Sequence, residues 1–438
     1  MKKIIITIVL FVCFICRSQE ASVSALATNK ILIEYAIYFL DDQLISVETA
    51  TTVTKKWFPD IEIIDELPDP ENVKGIRMSF KGITEVKKHY PPADMEYLKY
   101  TALGLSEPEK KALQNSNYVL LVGVIAEHEK QVEALSKVNE LVLKLIGEKK
   151  AVIYDVETRE TLSKDYWKTH RLISNASIDI SKHITIHFYP TGEYCRAITL
   201  GMFKFGLPDI CIEELSCKSD LALGSFINLT AQTLWETNKL HADGKLVLDI
   251  NAIQNEVVKD KFLSDAYENA FKKASVTLKE GTRQEGDPEN RLLEISFPGE
   301  NPQIQHDEVL KKVFGFKDEV VSIAHDEEIL KASKKAKAKI PELYKLFSSG
   351  MPVNMALLMK FPFESEYDGT EWMWVEITRW NENKVHGLLQ NDPAYIKDLK
   401  SGQKVTKNVN DMFDYILYKP DGTSEGNETG KIMMRDKN

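Results

Sequence analysis

Apolar and polar positions along the chain follow two periods, and where the period changes the chain passes from strand to helix. Ile31 to Leu40 is a largely apolar run closed by Asp41-Asp42, which predicts a buried strand. Val47 to Trp57 has helical spacing, and Ile61 to Ile64 is a short apolar strand. A loop with Pro68 and Pro70 precedes a strand from Gly75 to Phe80. Tyr118 to Ala126 is almost continuously apolar, the pattern of a central strand covered on both faces. Lys130 to Ile146 then puts Val132, Leu135, Val138, Leu141, Val142 and Leu145 on one helical face. Ala151 to Tyr154 returns as a strand, so the three pieces make a βαβ-type unit.

A further block opens at His183 with the strand His-Ile-Thr-Ile-His-Phe-Tyr and turns at Pro190-Thr191-Gly192. Ile198 to Leu215 carries two embedded glycines, and Leu221 to Leu240 is a helix with Leu223, Phe226, Ile227, Leu229, Leu234 and Trp235 available for packing. Ala266 to Ala274 reads as helical, Thr282 to Asn290 as a charged loop and Leu292 to Phe297 as a strand.

Near the carboxy terminus, Glu327 to Phe347 is a lysine-rich amphipathic helix that Pro341 divides. Met355 to Phe363 is an apolar strand. In Glu371 to Trp380, strand alternation puts Trp372, Trp374, Glu376, Thr378 and Trp380 on one face and Met373, Val375 and Ile377 on the other. Two readings of three indoles on one face stay open: packing beneath the preceding helix, or an aromatic surface for a ligand or partner. Asn381-Glu382-Asn383, Asn391-Asp392-Pro393, Ser401-Gly402 and Pro420-Asp421-Gly422 are turns between short strands.

The fold class expected is α+β. N-terminal βαβ-type sandwich units are followed by a small α+β domain with a curved antiparallel sheet. The boundaries are a signal peptide over 1–18, a tether over 19–29, and domains over 30–165, 166–323 (with a connector) and 324–425. A flexible tail over 426–438 completes the chain.

Composition adds compartment and partners. At 43% hydrophobic and 28% charged residues, the 438-residue chain can bury ordinary globular cores. Lys2 and Lys3 precede an apolar run from Ile4 to Cys16, shorter than the ~20 residues that span a bilayer. With cleavage near Ser18 this is a secretory signal, and the protein is periplasmic or secreted with no transmembrane segment left; a short uncleaved anchor is the alternative. Losing Lys2, Lys3 and Arg17 takes the formal charge from −10 to −13. Such an acidic chain argues against nucleic acid and anionic membranes, leaving a protein or cell-envelope ligand as partner. Three cysteines remain, Cys195, Cys211 and Cys217. One bridge can form among them, Cys211 with Cys217 being nearest in sequence, or all three are buried small hydrophobes.

Several C-terminal segments also carry a resemblance. Ala332 to Phe347, Glu371-Trp372-Met373-Trp374-Val375, Val385-His386-Gly387, Asn391-Asp392-Pro393, Leu399-Lys400-Ser401-Gly402 and Asp411-Met412-Phe413-Asp414-Tyr415 together resemble domain of unknown function 2314, the YegJ-like family. The resemblance covers about His325 to Gly422, with Tyr415 where tryptophan is expected. It implies a bacterial α+β domain and no catalytic residue to carry over. Thr199-Leu200-Gly201-Met202 and Phe205-Gly206-Leu207-Pro208-Asp209 resemble uncharacterised segments found ahead of that domain.

No catalytic, cofactor or metal motif stands out. His183 and His187 would lie ~13 Å apart on one strand, too far for two ligands of one tetrahedral ion. The ligand or partner surface expected is Trp372, Trp374 and Trp380, together with the turn bearing Gly201, Phe205, Gly206 and Asp209. Two functions follow: a non-catalytic binding or interaction protein, or a hydrolase-like enzyme whose site assembles from His183, His187, Asp209 and Glu213.

Overall fold

The computed structural model of the chain describes residues 26, 31–68, 73–173, 178–218, 221–315, 327–352, 355–365 and 369–435. The expected signal peptide lies outside the described residues. Of the expected tether only Leu26 is described, and it is packed in the main core.

Among the described residues the strands build three sheets. The first contains β1 (Ile31–Phe39), β2 (Glu62–Ile63), β3 (Ile76–Thr84), β4 (Ala102–Leu103), β5 (Tyr118–Ala126), β6 (Ala151–Asp155) and β7 (Glu160–Ser163), in the order β2-β3-β5-β1-β6-β7-β4. β1 pairs antiparallel with both β5 and β6. The βαβ-type unit is therefore present, with β1 inserted between its two strands. That position accounts for the apolar runs. Ile33, Tyr35, Ile37 and Phe39 face the main core, while Ala36 and Tyr38 join a smaller cluster on the other face. The helix Gln131–Ile146 buries Leu135, Val138, Leu141, Val142 and Leu145 against the sheet. Each such burial stabilises by roughly 1.5–3 kcal/mol.

The second sheet has β8 (Thr185–Thr191), β9 (Tyr194–Leu200), β10 (Asp209–Leu215), β11 (Lys245–Asp249), β12 (Lys273–Glu280) and β13 (Leu292–Ser296), in the order β11-β12-β13-β10-β9-β8. One buried cluster runs through both sheets, from Ile33 and Leu141 to Phe226 and Ile295. Two expectations are corrected here. His183 is not in the strand but closes a 3-10 turn at Ile180–Lys182, which the Asp179 carboxylate holds by accepting from Ser181 N and Oγ. Ala266 to Ala274 is not helical. The helix is Glu256–Asp265, capped by Asn255, and the chain beyond it runs along the helix Pro302–Phe314, where Tyr267 N donates to Phe314 O and Phe271 N to Lys312 O.

The third sheet is antiparallel: β14 (Ala356–Ser365), β15 (Gly369–Asn381), β16 (Lys384–Leu389), β17 (Lys404–Asn408), β18 (Asp414–Tyr418) and β19 (Ser424–Gly426), ordered β17-β16-β15-β14-β18-β19. The helices Glu327–Ala338 and Ile340–Ser348 send Ala336 and Leu343 into the core on one of its faces, and Pro341 sits in the first turn of the second. Within the expected tail, Glu428–Arg435 forms a helix whose start is fixed by the buried Asp414 carboxylate accepting from Thr429 N at 2.9 Å and Oγ1 at 2.6 Å, and residues 436–438 lie outside the described residues.

The three indoles do not share a face. Between β15 and β16 the register slips from Ile377↔Gly387 to Arg379↔His386, so Thr378 is an extra, bulged residue. The slip turns Trp380 onto the face of Met373, Val375 and Ile377, where it is buried against Tyr344 and Phe347. Trp372 and Trp374 remain half-buried on the other face.

Candidate functional site

A polar concavity is built around Arg171. Ser163 caps the helix Lys164–His170 by accepting from Tyr166 N, and Arg171 follows directly with its N–H on Trp167 O at 2.8 Å. Trp167 is fully buried and donates through Nε1 to Asn139 O, while Asn139 Nδ2 donates to Arg171 O at 2.7 Å. Core packing thereby fixes the backbone that carries this arginine.

Its guanidinium is 2% exposed and donates to Glu160 Oε2 at 2.6 Å and to Lys182 O, with Asp155 Oδ2 at 3.5 Å. Arg171 Nε is buried without a hydrogen-bond partner among the described residues. Asp155 also receives Lys204 Nζ at 2.6 Å, and neither residue of that pair is exposed. Buried charges persist only when paired, and this chain of acid and base is paired. Burial lowers the Lys204 amine from its usual range, an effect its partner Asp155 opposes. Burial pushes the Glu157 carboxyl up to about 7, with the Asp155 charge adding to it.

Arg171 and Glu160 open onto a cleft of about 350 Å³. Tyr166 and His170, stacked at 3.8 Å between ring centroids, line it with apolar Leu103 and Ile184 and polar Asp179, Ser181, Lys182 and Lys261. Lys261 Nζ lies 3.4 Å from Ser181 Oγ. Among the described residues neither Lys182 nor Lys261 has an ion-pair partner, whereas Arg171 and Glu160 neutralise one another. The cleft lining thus carries three basic residues, Arg171, Lys182 and Lys261, against the two carboxylates Glu160 and Asp179. A second, larger concavity of about 640 Å³ beside Leu40, Glu109 and Lys164 has no buried charged side chain in its lining.

The residues singled out from sequence lie elsewhere. Gly201 has φ +105°, and a Cβ there would stand 2.9 Å from Thr158 Cγ2 and 3.0 Å from His183 O. Its turn packs inward: Gly201, Phe205, Gly206 and Asp209 are all buried. Asp209 accepts from Thr199 Oγ1, Met202 N and Asn290 Nδ2, and burial pushes it up to about 6 against those bonds. His183 is buried, and burial followed by the Arg171 and Lys204 charges keeps it well below the usual histidine range. His187 is half-buried on β8, and Glu213 is bound to Arg196. None of these four lines the cleft.

Nor do the cysteines pair as expected from proximity. Cys195 of β9 bridges Cys217, leaving Cys211 free and buried, its thiol pushed up to about 12 by that burial. β9 and β10 are neighbours with Leu215 opposite Cys195, so Cys217, two residues past the end of β10, reaches across, while Cys211 faces Ile198.

The third sheet is docked onto the second by polar contacts. Glu376 of β15 is 2% exposed and accepts from Ser216 Oγ, from Cys217 N at 2.7 Å and from Lys218 N at 3.1 Å. Lys404 N donates to Asn301 Oδ1 at 2.9 Å, and Ser401 Oγ to Asp307 Oδ2 at 2.9 Å. Gly402, at φ +84°, lies so close to the Gln303 backbone that an added Cβ would stand 2.6 Å away.

No helix of the described residues is long and apolar enough to cross a membrane. No curated protein and no solved structure matches the chain. Residues 326–437, the third sheet with its three helices, match the model of a family described as an uncharacterized protein conserved in bacteria, domain of unknown function 2314.

Proposed function

We propose that this is an exported bacterial binding protein whose Arg171 cleft takes a small organic anion of the carboxylate class. The observation that carries the reading is a concave lining in which Arg171, Lys182 and Lys261 outnumber the carboxylates Glu160 and Asp179, with neither lysine ion-paired among the described residues. Leu103, Ile184 and the Tyr166–His170 stack offer an apolar wall beside the charges, the combination by which small-molecule sites fix orientation. Binding is favoured over hydrolysis because His183, His187, Asp209 and Glu213 do not converge in the cleft. Export is supported by the Lys2-Lys3 and Ile4 to Cys16 pattern and by the Cys195–Cys217 bridge, since disulfides persist in oxidising compartments. Ligand-observed NMR of the full chain against a panel of aliphatic and aromatic carboxylates tests the reading. Saturable binding to at least one class supports it, and silence across the panel refutes it.

A second surface is favoured by one observation. Trp372 packs against Phe413 with ring centroids 4.3 Å apart and planes tilted by 41°, the Lys360 amine lies 5.3 Å from the Trp374 ring centroid, and the two indoles stay half-exposed for a protein partner. Capture of envelope proteins by the wild type but not by Trp372→Ala supports that use; equal capture by both removes it.

A further inference from the structure

Glu376 is a carboxylate of the third sheet enclosed by a turn of the second, and that turn is one end of the Cys195–Cys217 bridge. Cys217 takes part twice. Its N–H donates to Glu376, and its sulfur ties the same residue to β9. Ser216 is held on both sides, its N–H donating to Gln303 Oε1 at 2.8 Å and its hydroxyl to Glu376. Gln390 Nε2 adds a donor at 3.3 Å from within the third sheet. A charge this deeply buried is stable only while its donors stay in place, because an unsatisfied carboxylate costs several kcal/mol in a low-dielectric site. Three of the four donors belong to Ser216, Cys217 and Lys218, and the bridge fixes the middle residue of that turn.

We propose that the Cys195–Cys217 disulfide is a redox latch for the docking of the C-terminal domain. A dithiol reductant supplies two electrons and two protons. The Cys195–Cys217 S–S bond breaks, both sulfurs become thiols, and the reductant's two sulfurs join as its own disulfide. The freed turn no longer holds its N–H groups on Glu376, and the carboxylate is left without most of its donors. The interface then loosens as a whole. Its ion pairs, such as Lys311–Asp392 and Lys400–Glu308, are exposed or half-buried and contribute little on their own. That leaves the hydrogen bonds Lys404 N–Asn301 and Ser401–Asp307 and the close approach of Gly402 to Gln303 to hold it.

Amide hydrogen exchange of the full chain tests this. Cys217 N and Lys218 N report on the latch, while Lys404 N, which donates to Asn301 across the same interface, reports on docking away from it. Reduction by a dithiol, verified by mass, is expected to speed exchange about tenfold or more at all three amides. Glu376→Gln is expected to do the same at Lys404 in the oxidised protein. Should the bridge resist reduction in the folded chain, the double variant Cys195→Ser/Cys217→Ser stands in for it. Faster exchange confined to Cys217 and Lys218, with Lys404 unchanged, overturns the proposal.

Discussion

Trp380 and Ile377 lie on the same face of β15 although they are three positions apart, because the bulge at Thr378 shifts the alternation by one. Trp380 therefore belongs to the core of the third sheet, with its indole N–H donating to Glu382 O at 3.0 Å. Trp380→Ala is expected to cost about 3–5 kcal/mol in urea unfolding, as large core truncations do. Trp372→Ala, at a half-exposed position, is expected to cost well under half of that. Equal losses would show that the bulge does not separate the two indoles.

The Lys204–Asp155 pair is a second place where burial sets the energetics. Lys204→Met leaves Asp155 buried with Arg171 at 3.5 Å as its one cationic partner among the described residues and Thr158 N donating at 3.3 Å, and a loss of about 3 kcal/mol is expected. The double variant Lys204→Met/Asp155→Leu is expected to lose less than the two single changes together, since it removes the orphaned charge. Additive losses in a chemical-denaturation cycle would mean that the pair is not coupled.

Stability should fall as pH rises through about 6 to 7. Burial raises Asp209 to about 6 and Glu157 to about 7, so the folded chain binds these protons more tightly than the unfolded chain. Their contribution is complete below the unfolded carboxylate range and is lost as each folded group ionises. Glu157→Gln removes one share, roughly 2 kcal/mol after allowing for its partial exposure. Unfolding midpoints between pH 4.5 and 8 should then fall less steeply in the variant. Identical slopes would contradict this assignment.

Cysteine mapping gives a direct check on the second sheet. A peptide pair joined through Cys195 and Cys217 is expected without reductant, and Cys211 is expected to react with an alkylating reagent only after unfolding. A linked pair containing Cys211 would require β9 and β10 to be arranged differently.

Periodic burial was what the sequence made legible. β5, the helix Gln131–Ile146 and the break at Pro341 follow from apolar spacing and proline geometry, which are local. The face of Trp380 did not follow, because a bulge depends on how a neighbouring strand pairs. The bridge was equally hidden: Cys195 and Cys217 are 22 residues apart and meet only because β9 and β10 are neighbours. The cleft was the least visible feature. Glu160, Arg171, Lys182 and Lys261 come from separate segments with no shared spacing. The one local signal was Ser163 before Lys164–His170, which marks the helix start and hence the position of Arg171 but not its burial.

The central claim rests on Lys182 and Lys261, both exposed and thus replaceable without disturbing the core. Calorimetric titration of the full chain with the carboxylates that bind in the NMR panel should give one saturable site. In Lys182→Ala/Lys261→Ala the affinity should drop at least about tenfold, as expected when two charge-assisted contacts are lost, with the unfolding midpoint unchanged. Binding of equal strength to the wild type and the double variant would place the anion somewhere other than the Arg171 cleft.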